Sequence, residues 1–247
     1  MLVIPPVLHY DRSMETRELW PGGVRYAGES IGTDSLALAY FARTSGARRG
    51  CDLGCGSGIL MLLLAWDSPT LAMDGVDLRP NAAELCRANL RENGLEDRCR
   101  VHTADLRAAP IEANSMDLVV TNPPYFRAGS GGVSPDADRA AMRVETASLP
   151  ELGSAAARLL RPGGDLCLVH RAERLAEVFD ALTASGLEPR KLRFIASRPD
   201  SAPTLFLCRA RKGASPGLSV EAPLCQFGPD GAETAEYRRL CHWEDRS

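Results

Sequence analysis

The stretch Cys51-Asp52-Leu53-Gly54-Cys55-Gly56-Ser57-Gly58, followed directly by the apolar run Ile59 to Trp66, leaves this chain few ways to fold. It reads as the end of a strand, a glycine turn and the start of a buried helix. Glycine adopts positive φ and lets a backbone approach a ligand closely. The helix N-terminus behind it offers unpaired N–H groups and the positive end of a dipole. The spacing is Asp-x-Gly-x-Gly-x-Gly. A dinucleotide fingerprint, Gly-x-Gly-x-x-Gly, needs glycine at position 59, where this chain has Ile. The loop of Gly54, Cys55, Gly56 and Gly58 is therefore no strong pyrophosphate cradle. The acid at the strand end, Asp52, suits a ligand bearing an ammonium group.

Three more strand ends repeat the pattern. Ala72 to Val76 reads as a short strand ending in Asp77-Leu78, and a carboxylate there can accept from both hydroxyls of a ribose. Pro80 starts a helix that runs to Asn93 and stops at Gly94. Arg98 to Thr103 is a third strand closed by Ala104-Asp105. Asp105 can accept from an adenine amine while its neighbours cover the ring. Ser115 to Thr121 is a fourth strand, closed by Asn122-Pro123-Pro124-Tyr125. The prolines cannot donate to a ladder and fix φ. The Asn122 amide oxygen and the Pro123 carbonyl can both accept from a planar group bearing an N–H₂, while Tyr125 stacks on its face. Taken singly, each acid is an ordinary strand-end turn residue and Asn-Pro-Pro an ordinary proline turn. Their succession at four strand ends points to a ligand, because open α/β sheets bind there.

The 247 residues, 45% hydrophobic, suffice for one large α/β domain with a small appendage. We expect an N-terminal arm over 1–33 with a hairpin or extended stretch at Trp20-Pro21-Gly22-Gly23. A main domain over 34–211 opens with a helix capped by Thr33 or Asp34, and a tail over 212–247 packs on it. Helices are expected over Leu149 to Leu160 and Ala172 to Ser185. Strands are expected over Asp165 to His170, Leu192 to Ala196 and Thr204 to Arg209, the last antiparallel to its neighbour. No run of 18 apolar residues and no basic-then-apolar leader appears, so a cytoplasmic protein without a membrane segment is expected. Eight scattered cysteines without a CxxC pair read as reduced thiols, and no metal site is expected. His170 and Cys241-His242 read as structural or surface residues.

A net charge of -3 argues against a uniformly basic nucleic-acid binder. Between Arg158 and Lys212, however, eleven basic residues face six acids, a local balance of +5. A basic patch and an ordinary solvated face both fit. Within it, Arg190, Lys191 and Arg193 are the expected phosphate contacts, with Arg171 beside them. The Gly-rich stretch from Phe126 to Ala147, with Arg139 and Arg143, reads as a substrate-binding segment.

Seven strands alternating with helices, ligand groups at strands one to four and an antiparallel last strand resemble a class I S-adenosylmethionine-dependent methyltransferase, a Rossmann-like α/β fold. The resemblance covers roughly Asp34 to Arg211. Asn-Pro-Pro-Tyr resembles the motif of enzymes that methylate planar nitrogens. Tyr26, Asp34-Ser35-Leu36, Asn122 to Phe126, Arg143-Val144-Glu145-Thr146, Leu168 to Arg171, Glu173-Arg174-Leu175, Leu187 to Phe194 and Ala222-Pro223-Leu224 together resemble the bacterial tRNA1(Val) adenine-N6 methyltransferases. That resemblance implies methylation of the adenosine 3′ of the anticodon, with tRNA as partner and S-adenosylmethionine as cofactor; a monomer is expected. Arg171-Ala172-Glu173 departs from the usual Arg-Pro-Glu, and Cys55 and Ser57 vary within the loop.

Alternatives remain at this point. A glutamine amide in a release factor is also planar, but enzymes of that type carry a helical domain before the glycine loop, and only about fifty residues precede Asp52 here. Guanine-N2 methylation of ribosomal RNA and adenine methylation of DNA usually come with an extra recognition domain. A binding module that has lost catalysis would show a damaged loop or tetrapeptide.

Overall fold

The computed structural model describes residues 17–18, 23–28, 31–43, 46–123 and 147–242. Strands β1 (Arg17–Glu18) and β2 (Arg25–Tyr26) form a small antiparallel ladder. Helix α1 (Thr33–Ala42) follows. The alternating core then runs β3 (Arg49–Leu53), α2 (Ile59–Asp67), β4 (Ala72–Asp77), α3 (Pro80–Glu92), β5 (Cys99–Thr103) and β6 (Met116–Thr121). The second half holds α4 (Leu149–Leu159), β7 (Leu160–Arg171), α5 (Leu175–Ala184), β8 (Leu187–Ala196), β9 (Leu205–Lys212), β10 (Ser219–Cys225) and α6 (Ala235–His242).

The main sheet has the order β10-β8-β9-β7-β6-β3-β4-β5. Only β9 opposes its neighbours, pairing antiparallel with both β7 and β8. Every other strand therefore ends on one common edge. Side chains of β6 alternate between the two faces, as strand geometry requires. Leu118 and Val120 join the core under α1 and α2, and Val119 joins the core under α4 and α5. The chain leaves β3 toward β4 on one side and returns to β6 on the other. The order thus reverses between β3 and β6, which is where open sheets bind ligands.

Several expected boundaries move. The sheet has eight strands rather than seven, because Ser219–Cys225, beyond the expected last strand, adds β10 parallel to β8. Strand β8 begins five residues before Leu192. Pro189 fits because the ladder with β9 skips Arg190: Pro189 pairs with Ala210 and Lys191 with Arg209. Beyond the end of α4, Arg161-Pro162-Gly163-Gly164 loops out of β7, whose pairing with β6 jumps from Leu160 to Asp165. Thr33 and Asp34 lie inside α1. Gly32 takes the cap position, and the Asp34 carboxylate accepts from the Ser35 N–H instead. Ser148 and Glu151 do form a full capping box on α4.

Candidate functional site

Asp52 lies near the end of β3, opposite Val120 of β6. It is 1% exposed, and neither carboxylate oxygen has a hydrogen-bond partner among the described residues. Burial, reinforced by the nearby Asp77 charge, pushes its pKa up to about 8. An unpaired carboxyl in such a place holds its proton until a cation arrives.

The loop beyond it is tied to β4: the Gly54 and Cys55 N–H groups both donate to Val76 O, at 2.8 and 3.0 Å. Gly54, Gly56 and Gly58 all have positive φ, at 79°, 54° and 85°. Gly58 caps α2 in the left-handed conformation, and a Cβ there would stand 2.4 Å from Cys86 Sγ of α3. A side chain at 58 would separate α3 from the loop. The Cys55 thiol is buried under the same turn, and a hydrogen bond with Cys86, together with burial, holds its pKa well up.

Asp77 Oδ2 accepts from Gly56 N–H at 2.8 Å, while Oδ1 accepts from the N–H of Arg79 at 2.9 Å and from its Nε at 3.2 Å. Leu78, next in the chain, leaves 51% of its surface exposed. An exposed large aliphatic beside a buried carboxylate suits a flat ring whose sugar the carboxylate holds. Ala104 N–H donates to Asp77 O, which places Ala104 and Asp105 on the adjoining strand end. Asp105 caps a single turn over Leu106–Ala108 and is clasped by the Arg107 guanidinium, which lowers its pKa and reaches on to Glu151 at 2.9 Å. Asp77→Ala should weaken cofactor binding 30-fold or more, since charged hydrogen bonds are worth about 1.5–3 kcal/mol each. Calorimetry showing wild-type affinity would remove Asp77 from the site.

Asn122 is delivered to the same place. The Thr121 hydroxyl, fully buried, donates to Leu53 O at 2.7 Å and locks the ends of β6 and β3 together. Asn122 Nδ2 donates to Ser35 Oγ in the first turn of α1, at 3.0 Å. The sequence singled out Ser35 only within the Asp34-Ser35-Leu36 segment, and its contact with Asn122 stayed hidden because the two lie 87 residues apart. Pro123 follows Asn122. Pro124, Tyr125, Phe126, Arg139 and Arg143 lie outside the described residues. The structure thus brings Asp52, the glycine loop, Asp77, Leu78, Ala104, Asp105 and Asn122 to one edge of the sheet.

The expected phosphate contacts are elsewhere. Lys191 stands five residues before the end of β8, roughly 17 Å down the strand from that edge. It pairs with Glu221 of β10 at 2.7 Å, and Arg190 donates to Ser215 O. Arg193 is the most firmly engaged of the three. Its side chain is 13% exposed, makes a two-pronged ion pair with Glu236 of α6 at 2.7 Å and donates to Ala222 O. It fastens α6 and β10 to the sheet. Arg193→Ala should cost roughly 2 kcal/mol of stability, read as a lower denaturation midpoint, with the salt slope of RNA binding unchanged. A slope reduced by about 1 would mark a phosphate contact instead. Arg171 does end β7 at the site edge, where it pairs with Glu173 at 3.0 Å. His170 is fully buried, accepts from Arg171 N–H through Nδ1 and packs on Phe206. Burial lowers its pKa to about 4, so it is a neutral core residue.

Among the described residues no group of three or more His, Cys, Asp or Glu could hold a metal ion, and no helix is long and apolar enough to cross a membrane.

Comparison with known proteins bears on the family and the fold. Residues 26–184 match the family model of the methyltransferase small domain. The chain is 32% identical over 213 residues to a tRNA1(Val) (adenine(37)-N6)-methyltransferase of Tolumonas auensis, covering 85% of this chain and 87% of the relative. A protein of the same name from Parabacteroides distasonis is 31% identical, over 72% of this chain and 74% of its own. Among solved structures, a predicted O-methyltransferase from Agrobacterium tumefaciens superposes with a TM-score of 0.70 at 23% identity, over 84% of this chain and 95% of that one. Geranyl diphosphate C-methyltransferase from Streptomyces coelicolor gives 0.52 at 14% identity, over 71% and 77%. At such identities the two structures bear on the fold alone, a class I methyltransferase sheet. The chain belongs to the methyltransferase small domain family and, within it, to the tRNA1(Val) (adenine(37)-N6)-methyltransferases.

Proposed function

We propose that this chain transfers a methyl group from S-adenosylmethionine to the exocyclic N6 of the adenosine 3′ of the anticodon in a valine tRNA. The observation that carries the reading is Asn122, held beside the glycine loop by the Thr121–Leu53 hydrogen bond. The residues present fit the cofactor. The unpartnered buried Asp52 carboxyl suits its ammonium, Asp77 its ribose and the exposed Leu78 its adenine face. When bound, S-adenosylmethionine supplies an electrophilic methyl carbon on a sulfonium.

The remaining work falls to the chain. An adenine amine is a weak nucleophile, because its lone pair is delocalised into the ring. Ser35 turns the Asn122 amide so that Nδ2 faces α1, and Oδ1 is the acceptor offered to the target amine. With the Pro123 carbonyl as the second acceptor, both amine protons are held and the nitrogen is drawn out of the ring plane. Its lone pair then points at the methyl carbon. One proton leaves to solvent after transfer. No strong base is required, so the rate rests on orientation and fixed dipoles. The base must leave its stack to enter, and Tyr125 and Phe126 are its proposed stacking partners. Arg139 and Arg143 are proposed to meet the RNA backbone.

Of the eleven basic residues from Arg158 to Lys212, ten have side-chain hydrogen bonds or ion pairs among the described residues. Arg198 is the exception, and it lies exposed just past the end of β8, on the site edge. It joins Arg171 as a proposed phosphate contact. The names of the relatives favour adenine over a glutamine amide or guanine N2. The deciding experiment supplies labelled S-adenosylmethionine and unmodified total tRNA, then digests to nucleosides with mass detection. N6-methyladenosine in a valine tRNA is expected. Label in protein or ribosomal RNA instead would overturn the substrate.

A further inference from the structure

Asn89 of α3 and Asn93, which caps the C-terminus of that helix one turn later, grip a backbone segment more than sixty residues away. Asn89 Oδ1 accepts from Ala27 N–H at 2.8 Å, and its Nδ2 donates to Ala27 O at 2.7 Å. Asn93 repeats the pattern on Arg25, at 2.8 and 2.6 Å. Each amide imitates the neighbour that an edge strand lacks, so β2 is clamped to the helix. Asn89 has a second amide proton, which goes to Ser57 O of the glycine loop at 2.9 Å. From the arm side, Tyr26 Oη meets Ser57 Oγ at 2.6 Å. Asn89 is 1% exposed and Tyr26 3%. Gly28 allows the arrangement: a Cβ there would stand 2.5 Å from Tyr26 Oη. Ser57 is thereby held at its carbonyl and its hydroxyl, between Gly56, whose N–H is bound by Asp77, and Gly58, which caps α2.

We propose that Asn89 and Tyr26 are positioning residues for the cofactor, acting through Ser57 to hold the glycine loop in its binding conformation. Two glycines flanking one residue give that stretch wide backbone freedom. Without the brace the binding-competent loop is only fractionally populated, and apparent affinity falls by that fraction. The arm before the family's alternating core thus becomes part of the cofactor site. This rests on the glycine loop being the cofactor cradle.

Asn89→Ala would also release β2, so Tyr26→Phe, which deletes a single hydroxyl, is the primary test. Calorimetry with S-adenosylhomocysteine should show a dissociation constant raised five- to tenfold. Turnover at saturating cofactor and KM for tRNA should stay unchanged, and the melting midpoint should fall by no more than a few degrees. Ser57→Ala should weaken binding equally, and the double variant no further than either single one. Wild-type affinity in Tyr26→Phe, or losses that multiply in the double variant, would overturn the brace. Asp77→Ala in the same assay separates the premises: if it too binds normally, the placement of the cofactor fails rather than the brace.

Discussion

Asn122→Ala should lower single-turnover methyl transfer to tRNA by about 10²–10³-fold, the usual consequence of removing one fixed hydrogen-bonding group from a reacting centre. The dissociation constant for S-adenosylhomocysteine should stay within about twofold of wild type, because Asp52, Asp77 and the glycine loop are untouched. The split matters more than the size. Asn122 stands at the end of β6, where Thr121 anchors the strand independently through Leu53 O. The substitution therefore removes the amide and leaves its mount. Ser35 loses its partner across to α1, but it is only half-buried and can turn to water, so the melting midpoint should move by no more than a few degrees. Unchanged transfer would end the role assigned to Asn122. A parallel fall in cofactor affinity would assign it to cofactor binding.

The strand ends were legible in the sequence for a physical reason. Asp52 with its glycines, Asp77, Asp105 and Asn122-Pro123-Pro124 each close a strand with residues whose local chemistry forces a turn, and local chemistry is what a sequence displays. Local chemistry can also be overridden, as at Pro189 inside β8. Its missing N–H argues against a strand, yet a one-residue skip in the ladder accommodates it. What the sequence hid was partnership at a distance. Nothing around Arg193 shows that Glu236, 43 residues on, will take its charge. Nothing around Asn89 shows that Ala27 and Ser57 will take its amide. A locally basic stretch therefore fitted a basic patch and a solvated face equally well, and most of its guanidinium groups prove to fasten one element to another. β10 was hidden in a stretch with Gly and Pro around it, and its place is set by pairing with β8 rather than by its own pattern.

Asp52→Asn should stabilise the unliganded protein and at the same time abolish tight cofactor binding. The wild-type carboxyl has its pKa raised from 3.8 to about 8 by burial. Between those values the native protein binds a proton that the unfolded chain has released. Stability of the unliganded protein therefore falls as pH rises through that window. At pH 7 the cost comes to about 4 kcal/mol, from 1.4 kcal/mol per unit of displacement. An uncharged amide escapes it. The melting midpoint of the variant should exceed that of wild type at pH 7 and approach it below about pH 3, where both states of the wild type are largely protonated. Cofactor binding reverses the balance. An ammonium set beside Asp52 favours the carboxylate, so the wild type should release close to one proton per cofactor between pH 5.5 and 7. Its affinity should rise up to tenfold per pH unit across that range. Calorimetry in two buffers of different ionisation enthalpy counts the proton directly. The variant should release none and bind at least 100-fold more weakly at pH 7. Cofactor binding by Asp52→Asn with wild-type affinity, and no proton released by the wild type, would show that the buried acid meets no cation. The stabilisation of the unliganded variant would survive that outcome, because it depends on burial alone.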